Sequence, residues 1–148
     1  MASPLVWHES WLLQIDELDA DHREMVRLIN DLFCAGSAAE ATGGPQPTPP
    51  MTERLAALID HLRVHFEREE TFLAAIEYPD LTEHRREHGI QMAELVDMLR
   101  VLTETGARCL DEEASDGIRR WFFNHVVAED LRFARYYRER LGAKESGR

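Results

Sequence analysis

The chain has 148 residues, enough for one domain that buries roughly 68–70% of the surface its unfolded form exposes, so a core forms without covalent staples. Hydrophobic residues make up 44% and charged residues 30%, a balance that excludes disorder over the whole chain and a largely membrane-embedded protein. With 28 acidic against 17 basic side chains the formal charge is −11; a phosphate backbone or an anionic lipid surface is repelled, and neither nucleic acid nor membrane is expected as a partner.

The first ten residues carry no basic cluster followed by an apolar run, and no stretch approaches 18 consecutive apolar residues. Cys34 and Cys109 form no C-x-x-C pair, so a reducing, cytoplasmic setting is expected, with no disulfide between them. Trp7 and Trp11 read as packing anchors of an N-terminal arm.

Apolar residues at Met25, Val26, Ile29, Leu32 and Phe33 recur at three and four residue intervals and predict a first helix over about 19–35. A segment rich in Ala, Gly, Ser, Thr and Pro follows, read as a surface loop over 36–50. Thr48 as N-cap and Pro49 and Pro50 in the first turn open a second helix over 50–77, with Leu55, Leu58, Ile59, Leu62 and Phe66 on its buried face. Pro79 ends that pattern, and Asp80 with Glu83 has capping-box spacing for a third helix over 81–106, stopped by Gly106. Asp111, Glu112 and Glu113 favour the start of a fourth helix over 112–141, with Gly142 just past its end. Short second and third connections make neighbours antiparallel, so the expected fold is all-α: a single domain over 1–148, an up-down-up-down four-helix bundle with an N-terminal arm.

The chemistry lies in how the histidines are spaced. His65 and Glu69, and His84 and His88, are each four residues apart, a step of about 400° that projects both members of a pair from one helix face. His22 lies early in the first helix, and His125 and Asp130 lie in the middle of the fourth, so all seven groups fall toward one half of an antiparallel bundle. Any one of these histidines alone would read as an ordinary, partly buried residue. Seven polar groups unpaired in a core would cost about 1–3 kcal/mol each, and a metal removes that penalty by partnering them. Five imidazoles and two carboxylates exceed the four ligands of a zinc ion and suit two octahedral ions, with a bridging oxide or hydroxide. This donor set favours iron, with manganese and zinc able to occupy the same ligands. The five-residue step from His125 to Asp130 leaves them roughly 140° apart on a regular α-helix, so Asp130 approaches from the flank or the helix widens locally to a π turn.

Leu18-Asp19-Ala20-Asp21-His22 with Ile29-Asn30, His65-Phe66-Glu67-Arg68-Glu69-Glu70, Tyr78-Pro79 with His84 and His88, and Trp121 with His125 and Asp130 together resemble the hemerythrin family, its bacterial members in particular, from about Trp7 to Tyr137. The resemblance implies two non-haem iron ions, one held by His84, His88 and His125 and the other by His22 and His65, with Glu69 and Asp130 bridging alongside an oxide or hydroxide. It also implies reversible dioxygen binding for carriage, storage or delivery. Departures are Asp21, where the family usually has Gln, Phe122, where it usually has Leu, and a longer first loop.

Such chemistry needs a dry pocket, for which Phe66, Phe122 and Val126 are the candidates. Two other uses of the site are a sensor of oxygen, nitric oxide or redox state and a di-iron peroxidase or nitric oxide reductase. The sequence shows no added signalling domain and no spare acid or base placed for catalysis, so a non-enzymatic binder is expected; no protein partner is indicated. His8 and His61 read as surface or outer-layer residues, Glu70 as solvent-facing, and Arg85-Arg86-Glu87 and Arg138-Glu139-Arg140 as solvated helix faces.

Overall fold

The computed structural model describes residues 4–35 and 49–145 and contains only helices among them. An N-terminal arm with a short 3₁₀ turn, Glu9–Trp11, leads into α1, Asp16–Ala35. Next come α2, Met51–Ala75, and α3, Leu81–Thr105. A fourth rod consists of α4, Glu112–Trp121, a π-helical segment, Phe122–Glu129, and α5, Asp130–Glu145. The four rods form an antiparallel four-helix bundle in which α2 packs against both α1 and α3. No helix among the described residues is long and apolar enough to cross a membrane.

Helix α1 starts three residues before the expected boundary because the acidic first turn of Asp16, Glu17 and Asp19 suits the positive end of the helix dipole. Asp19 also accepts hydrogen bonds from the N–H groups of Leu13 (2.7 Å) and Ile15 (3.2 Å) and folds the arm onto the helix. Pro50 is the N-cap of α2 in an extended conformation, so neither proline lies within the helix. The expected loop over 36–50 falls largely, and Thr48 wholly, outside the described residues, as does the Cys34 side chain; Cys109 is a half-buried free thiol.

Helix α2 ends two residues early in a Schellman motif: the Tyr78 N–H donates to the Leu73 carbonyl (3.0 Å) and the Glu77 N–H to the Ala74 carbonyl (3.1 Å). The left-handed position belongs to Glu77 (φ 55°) in place of a glycine. Arg140 stabilises this turn through the Glu77 carboxylate (2.7 Å) and the Ile76 carbonyl (2.6 Å), and Tyr78 joins Leu73 in one buried cluster. The Asp80–Glu83 capping box does not form: the Asp80 side chain caps nothing and lies 3.3 Å from Arg132 Nη2. Gly106 (φ 68°) stops α3 by taking the left-handed conformation that a β-carbon disfavours. Asp111 caps α4, its carboxylate accepting from the Ala114 N–H at 2.7 Å. Gly142 does not stop the last helix, which continues through it to Glu145.

The apolar core is in two parts. A larger cluster takes in Met25, Ile29, Leu55, Leu62, Phe66, Phe122 and Val126, and a smaller one Leu13, Leu18, Leu73, Tyr78 and Phe133. Buried polar side chains lie between them: Phe66 of the first stacks on His88, and Phe133 of the second meets the edge of His84. The arm is tied to α1 by Asn30, whose Oδ1 accepts from the Leu5 N–H (2.7 Å) and whose Nδ2 donates to the Leu5 carbonyl (2.8 Å). Asn30→Ala removes both bonds and is expected to destabilise the protein by about 1–3 kcal/mol, with a fall in Tm of about 2–4 °C for each kcal/mol. Thermal unfolding followed by circular dichroism checks this; an unchanged Tm would show that the tether contributes nothing.

Candidate metal centre

Every rod of the bundle sends polar side chains to one interior point. α1 places His22 there, α2 places His65 and Glu69 one turn apart, and α3 places His84 and His88 one turn apart. The fourth rod supplies His125 and Asp130, whose five-residue spacing is accommodated by the π widening: the Asp130 N–H donates to the His125 carbonyl, an i→i+5 bond that widens the turn and brings the two side chains toward one face. His125 Nε2 and Asp130 Oδ1 are then only 3.5 Å apart. All seven residues are buried, and His22, Glu69 and Asp130 are 0% exposed.

The donor atoms form two groups: Glu69, His84, His88 and His125, and His22, His65, Glu69 and Asp130, with all atoms of a group within 4.8 Å of one another. Glu69 belongs to both. Its Oε1 lies 2.6 Å from His84 Nε2 and 3.1 Å from His88 Nε2, and its Oε2 lies 2.9 Å from His65 Nε2 and 3.8 Å from His22 Nε2. Asp130 repeats the pattern, with Oδ2 3.1 Å from His22 Nε2 and Oδ1 3.3 Å from His84 Nε2. Each carboxylate therefore turns one oxygen to each histidine set.

Both ring nitrogens of His22, His65 Nε2, Glu69 Oε2 and both Asp130 oxygens are buried without a hydrogen-bond partner. His65 Nε2 and Glu69 Oε2 are 2.9 Å apart yet not aligned as donor and acceptor. Atoms that crowd together without bonding share a focus instead of addressing one another, which is the arrangement of co-ligands around an ion. Unpaired, each would cost about 1–3 kcal/mol; imidazole nitrogens and carboxylate oxygens are ligands that a first-row transition dication accepts. The residues fit a metal.

The buried imidazoles and carboxylates also set one another's protonation. Burial alone would push His65 down, but the Glu69 and Asp21 carboxylates prevail and push it up to about 10. Burial likewise opposes the charge on His84, which Asp130 and Glu69 push up to about 10. Burial acts to raise Glu69, and the imidazoles around it, His65 foremost, hold it well below the usual carboxylate range. Burial dominates at His125 and lowers it.

Two histidines are oriented by carboxylates beyond the centre. His65 Nδ1 donates to Asp21 Oδ2 (2.9 Å), and Asp21 also accepts from Arg68 Nη1 (2.7 Å). His88 Nδ1 donates to Glu70 Oε2 (2.9 Å), while Arg85 Nε donates to Glu70 Oε1 (3.0 Å). Protons fixed on Nδ1 leave Nε2 free to face the centre. Glu70 is thus not solvent-facing as expected, and Arg85 is its counter-ion in place of a simply solvated side chain. His61 stacks on His65 with ring centroids 6.4 Å apart and lies 2.9 Å from the Asp21 carbonyl through Nε2, whereas His8 is exposed and caps the 3₁₀ turn.

Of the candidate pocket residues, Phe66 makes ring contacts with His65, His88 and His125. Phe122 and Val126 are buried in the adjoining core, with the Phe122 ring against Trp11 and Phe123. Trp121 stacks on His125 with an interplanar angle of 12°, so it packs against the centre as well as the core. Sequence reasoning missed the roles of Asp21 and Glu70: Asp21 stood out only as a departure from the family's usual Gln and Glu70 only by adjacency to Glu69, because their partners lie on other helices.

The raised His65 and His84 values set a sign. In the metal-free protein the stabilisation from holding those protons is complete below the ordinary 6.5 and is lost as pH rises through about 10. A metal must displace the same protons, so adding Co²⁺ to metal-free protein in weak buffer at pH 7 is expected to release protons to an indicator dye and to bind more tightly as pH rises. Uptake without proton release would contradict this charge arrangement.

Three comparisons bear on these observations. The family profile of the hemerythrin HHE cation binding domain matches residues 13–137. A bacteriohemerythrin of Stenotrophomonas maltophilia is 26% identical over 134 residues, covering 88% of this chain and 79% of its own, and a myohemerythrin of Riftia pachyptila is 28% identical over 134 residues, covering 88% and 92%. A solved wild-type hemerythrin superposes with a TM-score of 0.72 at 21% identity, covering 89% of this chain and 96% of its own, which supports the fold.

Proposed function

Because the chain belongs to the hemerythrin family, we propose that it binds dioxygen reversibly, for carriage, storage or delivery, at a non-haem di-iron centre built by a single domain. The observation that carries this reading is the pair of carboxylates, Glu69 and Asp130, each presenting one oxygen to each of two histidine sets. His84, His88 and His125 would hold one iron and His22 and His65 the other, with Glu69, Asp130 and an oxide or hydroxide as bridges. When bound, two ferrous ions supply the two electrons that dioxygen takes up and returns.

The remaining functions belong to the chain. Two histidines against three give the His22–His65 position fewer protein donors, so access for dioxygen is assigned there. The two buried carboxylates offset much of the positive charge of two dications, allowing the centre to lie in a core. Asp21 and Glu70 keep His65 and His88 in register. Phe66, Phe122 and Val126 are proposed to exclude water, which would promote irreversible oxidation of the pair.

The test is optical. Protein loaded anaerobically with ferrous iron is expected to develop a visible charge-transfer band under air and to lose it on removal of dioxygen, over repeated cycles. Immediate irreversible oxidation, or sustained turnover of added peroxide or nitric oxide, would overturn the carrier reading in favour of an enzyme. His65→Ala is expected to lose one of two irons or the reversible band; two irons with unchanged oxygen binding would show the ligand assignment to be wrong.

A further inference from the structure

A cleft of about 570 Å³ opens between α3 and the π-helical segment and ends on the rings of His84 and His125. One wall is a stripe of α3: His84, Glu87, Gln91 and Glu94 recur at intervals of three and four residues and share a helix face. The opposite wall includes Trp121, His125 and Glu129.

The cleft carries uncompensated negative charge. Arg132 is the single Lys or Arg among its described lining residues and is engaged by Asp80 (3.3 Å) and Glu129 (3.5 Å), while His84 is matched by Glu69 and Asp130 on its far side. Glu87 and Glu94 have no ion pair among the described residues. Between them, Gln91 is 7% exposed, lines the cleft and makes no side-chain hydrogen bond among the described residues. The Gln91 amide atoms are not among the buried unpartnered atoms, so on a side chain otherwise enclosed by protein the carboxamide opens into the cleft and is presented to whatever enters.

Two rings of the centre also border this cleft directly. Nδ1 of His65 and of His88 is bonded to a carboxylate, whereas His84 and His125 line the cleft and their Nδ1 atoms bond to no described residue. Nε2 of both rings faces the buried carboxylates on the far side. On this side the two imidazole rings, with Trp121 stacked on His125, stand between the buried carboxylates and the cleft.

We propose that this cleft is the loading vestibule of the metal centre: a hydrated divalent cation is drawn in by Glu87 and Glu94, exchanges a water for Gln91, and passes to His84 and His125. Six waters at about 30 Å³ each occupy less than half of the cleft, so an aquo ion enters with its hydration shell. The inference rests on the metal-centre reading and adds the path by which that centre fills.

Stopped-flow mixing of the metal-free full chain with Co²⁺, read by growth of its visible absorption, tests the path. Glu87→Gln combined with Glu94→Gln is expected to slow uptake on the order of tenfold at low salt, to flatten its dependence on ionic strength, and to leave the final two equivalents unchanged. Gln91→Leu is expected to slow uptake at every salt concentration with the same end point. Asp97→Asn combined with Glu104→Gln removes equal charge from another part of α3 and should load like the parent chain. Double-variant uptake at the parent rate, or no slower than this control, would overturn the vestibule. A parent chain that takes up no Co²⁺ would overturn the metal-centre reading and the vestibule with it.

Discussion

Two carboxylates with no solvent exposure, Glu69 and Asp130, stand among five buried imidazoles, and the interior of this protein is arranged around that concentration of charge. An isolated carboxylate in a core would neutralise itself by taking a proton. Here the surrounding nitrogens hold Glu69 ionised, while the carboxylates keep His65 and His84 charged well above their ordinary range. The carboxylates and imidazoles thus hold one another's charge within the core. Together they also divide the apolar core into two clusters, with ring contacts from Phe66 and Phe133 joining each cluster to the buried polar layer.

Helix geometry supplies the rest of the constraint. Four-residue spacing places His65 with Glu69 and His84 with His88 without distortion, whereas a five-residue spacing cannot do so for His125 and Asp130 on an α-helix. The fourth rod resolves the conflict by widening over Phe122–Glu129. The π segment also forms a wall of the cleft beside His84 and His125, so one local irregularity both brings Asp130 to the buried histidines and borders that cleft.

The sequence made the bundle legible because apolar periodicity and the Gly106 stop are local signals. It made the seven polar groups legible because spacing on a helix face is also local, and it showed the need for a π turn from the five-residue step alone. What it concealed was non-local or substituted chemistry. Asp21 and Glu70 orient histidines on neighbouring helices, and nothing in their own periodicity marks that. Glu77 occupies a left-handed position where glycine is the usual sign, sustained by Arg140 from a distant helix. Asp80 has capping spacing but lies near Arg132 instead, and Gly142 remains helical because a glycine ends a helix only where the backbone turns left-handed.

The most direct measurement is anomalous scattering at the iron edge from crystals of the iron-loaded protein. Two peaks are predicted inside the bundle, one among His84, His88 and His125 and the other beside His22 and His65, with the side chains of Glu69 and Asp130 spanning both. A single peak, peaks outside this cluster, or two peaks bridged by neither carboxylate would contradict the account.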